Sequence, residues 1–141
     1  MEEVRTYRAA INRTPHDVVV EDRPLPEVVK SQVLVRMEAV GVCASDLHLT
    51  RRANPYLVPK GEIGGHEGIG WIAACGPEVD VEVWKMNDRV AVRWLHWVCQ
   101  ECELCVNDNE ALCDQRVLAS VDVNGCWAGP TLLSLYAGDF L

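Results

Sequence analysis

A chain of 141 residues, 49% hydrophobic and 24% charged, has the length and balance of one ordinary folded domain, and disorder is not expected of it. Its 21 acidic and 13 basic side chains leave a formal net charge of −8 at pH 7, which repels phosphate backbones and argues against a nucleic-acid partner. Acidic Glu2 and Glu3 stand where a secretory leader carries positive charge, and no apolar run is long enough to cross a bilayer, so a cytoplasmic chain without a membrane partner is expected.

Residues 4–20 mix polar and apolar side chains, and Pro24-Leu25-Pro26 reads as an extended connector because each proline disfavours helix at the residue before it. Residues 32–40 are rich in β-branched side chains with polar ones at alternate positions, which predicts a strand with one wetter face. The following Ala44-Ser45-Asp46-Leu47-His48 suits one or two helical turns. From Gly61 to Gly76 glycine recurs too often for a helix, and Trp71-Ile72-Ala73-Ala74 between the glycines suits a strand. A further turn and strand falls within residues 84–92. No segment carries a long amphipathic helical period, so the expected fold is mainly β with short helices.

Seven cysteines in a chain with no expected leader point to metal binding before disulfides. Four of them, Cys99, Cys102, Cys105 and Cys113, are spaced C-x2-C-x2-C-x7-C. Two-residue gaps let neighbouring thiolates wrap one ion, and the fourth closes a tetrahedron at about 2.3 Å per sulfur. Zinc is the natural occupant, and with all four ligands from protein the site is expected to be structural. The competing readings are four unrelated buried thiols, or a redox C-x-x-C that leaves the third and fourth cysteines without a role.

A second constellation is Gly65-His66-Glu67 continuing to Gly70, Gly76 and Val79, with Gly41-Val42-Cys43-Ala44-Ser45-Asp46-Leu47-His48 upstream. A cysteine and a histidine from separate segments can share a catalytic zinc, with a carboxylate orienting the imidazole, for which Asp46 is the candidate. On a short helix Cys43 and Asp46 share one face, and Ser45 and His48 share another and form a pair able to pass a proton. Singly, each of these residues has an ordinary structural reading as core, polar surface or helix start.

These two motifs in this order resemble the zinc-containing medium-chain alcohol dehydrogenases over residues 4–128. The resemblance implies a GroES-like, partly open β-barrel with short helices and a zinc-binding lobe. It implies Cys43 and His66 as catalytic zinc ligands, Asp46 and Glu67 around the metal, and Ser45 and His48 as the proton relay. Cys99, Cys102, Cys105 and Cys113 become the structural zinc ligands, and Arg93-Trp94-Leu95 puts Trp94 into a pocket for a small primary alcohol or its aldehyde. NAD or NADP belongs to the full-length family, as does the third catalytic ligand, so the zinc at Cys43 and His66 is expected to be weakly held, with Glu67 as a substitute donor.

Some positions depart from the family pattern. Asn87 and Asp108 stand where glycine is usual, and both side-chain types tolerate left-handed backbone. Trp71 is large for its strand and is expected to crowd the barrel. Cys75, Cys126, His16 and His96 match no ligand position and read as structural or surface residues. Residues 68–73 do spell G-x-G-x-x-A, but no long helix is predicted after them, so a dinucleotide fingerprint is not expected there. Residues 129–141 resemble nothing in the family, so the chain is expected to be truncated by a frameshift or mis-spliced gene end, to lack activity alone, and to self-associate through uncovered apolar surface. The rival expectation is a catalytically dead zinc-binding module acting only through protein contacts. A nucleic-acid binder built on the cysteine lobe is disfavoured by the charge.

Overall fold

The computed structural model describes residues 5–52, 59, 60 and 62–134. The acidic start at Glu2 and Glu3, Gly61 and the segment 135–141 lie outside the described residues. The chain is mainly β, as expected. Strands β1 (Thr6–Thr14) and β2 (Asp17–Pro24) form an antiparallel hairpin. A four-stranded antiparallel sheet runs in the order β5-β4-β3-β8, from β3 (Gln32–Val40), β4 (Gly68–Cys75), β5 (Arg89–Val92) and β8 (Pro130–Ser134). The third sheet pairs β6 (Leu95–Trp97) with β7 (Val117–Leu118).

Residues 4–20 carry no predicted strand, yet most of them belong to the hairpin. Its inward side is short and weakly apolar, with Ala9 and Ile11 buried and Tyr7 half-buried, while Arg8 and Arg13 face solvent. The hairpin joins the rest of the molecule by isolated bridges from Ala9 to Ala128 and from Ile11 to Ile63. Those pairings seat the hairpin on the segments ahead of β4 and β8, with Ala9, Ile11 and Ile63 as their buried cluster, and no local periodicity encodes them.

Strand β3 has the bounds predicted from its β-branched run. Val33 and Val35 point inward with Ile72 of β4, all three fully buried, while Arg36 and Glu38 take the wetter face. Each such side chain contributes roughly 1.5–3 kcal/mol by leaving water. The alternation of β4 buries Gly70 and Ile72 and turns Trp71 to the other side, where the Arg89 guanidinium lies 5.5 Å from the ring centre. Trp71 therefore does not crowd the interior, contrary to expectation, because strand parity sends its bulk outward. The same strand contains all of residues 68–73, so the G-x-G-x-x-A string is extended chain rather than the turn a pyrophosphate needs. Residues 130–134 of the tail pair with β3 along its free edge.

Asn87 and Asp108 both adopt left-handed backbone, with φ of 68° and 58°, which their short polar side chains allow in place of glycine. Ser120 is also left-handed, with φ of 61°, and it is buried with a hydroxyl that has no hydrogen-bond partner. Replacing Ser120 by glycine removes the steric cost of the left-handed conformation and the orphaned hydroxyl, against the entropy of a freer unfolded chain. The expected result is a stabilisation of about 1 kcal/mol, read as a rise of roughly 3–5 °C in the melting midpoint. An unchanged or lower midpoint would refute it. Among the described residues no helix is long and apolar enough to cross a membrane.

Candidate metal centres

The first centre forms where two chain segments meet. Helix α1 (Ala44–Thr50) starts immediately after Cys43, whose extended backbone ends the path out of β3. One face of α1 buries Asp46 and Leu49, three residues apart, and Asp46 turns back over the helix start to accept the Cys43 N–H at 2.9 Å. The other segment, Gly64 to Glu67, leads into β4 and carries His66 against this helix.

There His66 Nε2 lies 3.4 Å from Cys43 Sγ, and Nδ1 lies 3.1 Å from Asp46 Oδ1. Asp46 is 2% and His66 5% exposed, so the pair is withdrawn from water. The contact has ion-pair distance without hydrogen-bond alignment, and neither Nδ1 nor Oδ1 has another partner. A buried carboxylate and imidazole left short of partners in this way are a strained arrangement for a metal-free pair. With Nδ1 facing the carboxylate, Nε2 is the ring nitrogen presented beside the thiol, the arrangement of a metal-binding histidine.

Glu67 offers a third donor: one ligand atom from each of Cys43, His66 and Glu67 falls within 4.8 Å of the others. Thiolate sulfur at about 2.3 Å and imidazole nitrogen at about 2.0–2.1 Å from a shared tetrahedral ion stand roughly 3.6 Å apart, close to the separation found. The residues thus fit a divalent ion. Trp94 packs edge-on against His66, with ring centres 4.7 Å apart and planes at 75°, and it also touches the apolar cluster of Leu49, Leu118 and Val121. Ser45 and His48 lie exposed on α1, and none of the hydrogen bonds among the described residues joins them.

The second centre is the cysteine lobe. Strands β6 and β7 form its neck, and between them lie α2 (Glu103–Val106) and a single 3-10 turn at Glu110–Leu112. Neither helix buries any residue. Cys99, Cys102, Cys105 and Cys113 nevertheless converge, with their sulfurs all within 4.8 Å of one another. Cys99 Sγ stands 3.6 Å from that of Cys113 and 3.9 Å from that of Cys105. Four sulfurs at about 2.3 Å from one tetrahedral ion stand roughly 3.8 Å apart, so the cluster has the size of a zinc cage. The backbone N–H groups of Glu101 and Cys102 hold the Cys99 thiol down to about 7, while burial pushes Cys105 up to about 12. Four thiols this close resist holding several negative charges unless a cation is shared among them.

Of the residues predicted to match no ligand position, His16 is exposed at the hairpin turn and His96 is partly buried, which lowers its basicity. Cys126 is fully buried, and burial pushes its thiol up to about 11; it packs behind Glu67 and Gly68. Neither this placement nor that of Trp127 beside it carries a local sequence signal, since both depend on a strand crossing distant in the chain.

The mainly β domain thus presents two separate groups of side chains able to hold a metal, the four-cysteine lobe and the Cys43-His66-Glu67 cluster. The family described as "Alcohol dehydrogenase GroES-like domain" matches residues 29–134, and the chain belongs to that family. It is 37% identical over 125 residues to an alcohol dehydrogenase of Rhizobium meliloti, covering 85% of this chain and 35% of the relative. It is 38% identical over 126 residues to a sorbitol dehydrogenase of Bacillus subtilis, covering 87% and 35%. A cobalt- and zinc-bound thermostable alcohol dehydrogenase from Pyrobaculum aerophilum shares the fold, with a TM-score of 0.82 at 22% identity over 92% of this chain and 40% of that one. The chain thus spans about 35% of the length of the curated relatives it matches.

Proposed function

We propose that this chain is the zinc-binding, alcohol-activating part of a nicotinamide-dependent alcohol dehydrogenase, and that the 141 residues alone do not turn over. The observation that carries the reading is the buried Asp46–His66 pair with half-buried Cys43 beside it, an imidazole between a carboxylate and a thiol with Glu67 close by. Zinc held by Cys43, His66 and Glu67 would act as a Lewis acid on an alcohol oxygen. Asp46, 3.1 Å from Nδ1, would orient the ring with Nε2 toward the metal. Ser45 would accept the alcohol's hydroxyl proton while passing its own to His48, three residues along α1, and His48 would release it to solvent. Trp94, against His66, narrows the approach so that a small primary alcohol or aldehyde is favoured. Cys99, Cys102, Cys105 and Cys113 hold a structural zinc in the same reading. The NAD or NADP of this reading is not assigned to any of the described residues.

The test is cobalt substitution of the whole chain, with ethanol and acetaldehyde as probes. Two metals per chain are expected, one of them removed by a mild chelator. The visible bands of the removable metal should shift on adding either probe, and a Cys43→Ser variant should lose both metal and shift. Spectra that do not distinguish wild type from this variant would sink the reading.

The alternative, a zinc module acting only through protein contacts, is favoured by Val106 and Leu112, which are 65% and 62% exposed on the lobe. Self-association through such surface is expected of either reading. Light scattering of a concentrated sample should give a mass above that of one chain, and a clean monomer would count against it.

A further inference from the structure

The spacing of Cys43 and His66 depends on two segments 23 residues apart in sequence, and one side chain touches the approach to both. The indole of Trp127 lies on Gly64 and Gly65. A Cβ at Gly64 would stand 2.6 Å from ring atom Cε3, and one at Gly65 would stand 2.3 Å from Cδ1. Only a bare backbone lets the ring lie this close, and Gly65 is additionally left-handed, with φ of 86°. Those two glycines immediately precede His66.

From that seat Trp127 Nε1–H donates to the Gly41 carbonyl at 3.1 Å, two residues before Cys43. The Gly41 N–H in turn donates to the Glu67 carbonyl. The tryptophan is itself anchored on both sides. Its backbone N–H donates to Gly64 O at 2.9 Å, the backbone Cys126 N–H donates to Gly65 O at 3.0 Å, and the backbone Ala10 N–H donates to Trp127 O at 2.8 Å. The ring also packs against the cluster of Ala9, Ile11 and Ile63. One residue therefore links the hairpin, the segment that delivers the imidazole and the segment that delivers the thiol.

We infer that Trp127 is a positioning residue of the Cys43–His66 centre, setting thiol against imidazole through its indole N–H and its seat on Gly64–Gly65. The inference rests on the metal-binding reading of that centre. A donor that fixes the backbone beside a ligand acts as an outer-shell partner does, and losing such a partner costs about 10–100-fold in metal affinity.

The experiment is cobalt titration of the full chain as wild type, Trp127→Phe and Cys43→Ser, against a competing chelator. Trp127→Phe keeps a ring in the glycine groove and removes the N–H. It should weaken the chelator-sensitive metal about tenfold or more while leaving the absorption of the four-cysteine site unchanged. Equal affinity in Trp127→Phe and wild type, with the metal lost in Cys43→Ser, overturns the role of Trp127 alone. No chelator-sensitive metal in wild type overturns the reading of the centre, and this inference with it. A measurement on unaltered protein stands beside the variant in case it fails to fold. Zinc loading of the wild type should shift the assigned Trp127 indole N–H resonance and slow its exchange with solvent, with no such change in Cys43→Ser. An indole signal indifferent to zinc refutes the coupling.

Discussion

Cys102→Ser is expected to abolish tight metal binding in the lobe and to lower stability by on the order of 3–5 kcal/mol, a fall of roughly 10–20 °C in the melting midpoint. The size follows from how little else holds this part of the chain. Neither α2 nor the 3-10 turn buries a residue, Val106 and Leu112 face solvent, and Cys113 is the fully buried member of the cluster. A segment with so little apolar interior cannot offset its backbone entropy by burial, so the ion that joins the four sulfurs must supply the difference. Because Cys102 is half-buried, serine there adds little desolvation cost, and the loss reports the metal. Elemental analysis and thermal melting of wild type and variant check it. Full metal content with an unchanged melting curve would show that the four sulfurs do not form a structural site.

The second large effect is expected in catalysis. The 141-residue chain with zinc, ethanol and either nicotinamide cofactor should reduce no more cofactor than a Cys43→Ser control. Hydride transfer needs the nicotinamide ring held against the activated alcohol, and such positioning supplies about 7–11 kcal/mol, equivalent to a rate factor of about 10⁵ or more. Among the described residues every pair of named strands is antiparallel, so no parallel β-α-β unit is there to receive a pyrophosphate, and the one glycine pattern that imitates its fingerprint is extended within β4. The exposed Ser45 and His48 then have no bound pair of reactants to serve. The check is absorbance of the reduced cofactor, with calorimetry for cofactor binding. Turnover above the control would mean that a cofactor site exists in this chain outside the known arrangement.

How far these centres were legible from residues alone depends on the distance over which each is encoded. The four lobe cysteines lie within one short loop, so their spacing already limits the geometry, and the structure brings all four together. Strand β3 announced itself through nine residues of β-branched alternation. The left-handed backbone at Asn87 and Asp108 followed from side-chain type, since only short polar side chains replace glycine there at low cost. The pairing of Cys43 with His66 was visible as two motifs. Their 3.4 Å approach was not, because it is set by where the segment ahead of β4 brings His66 against Asp46 and Cys43.

Tertiary structure alone decided the rest. The β1–β2 hairpin escaped notice because its inward residues are few and small, and it becomes a stable element by bridging to Ile63 and Ala128. The side on which Trp71 falls was settled by strand parity, with Ile72 claiming the interior. Trp127 reads in the sequence as one more aromatic, and its seat on Gly64–Gly65 exists only after the chain has returned across the first centre. Residue identity thus determined which atoms can hold a metal, because donor chemistry is a property of single side chains. Which of those atoms meet was decided by contacts between segments far apart in the chain, where the free energy of burial and hydrogen bonding is collected only on folding.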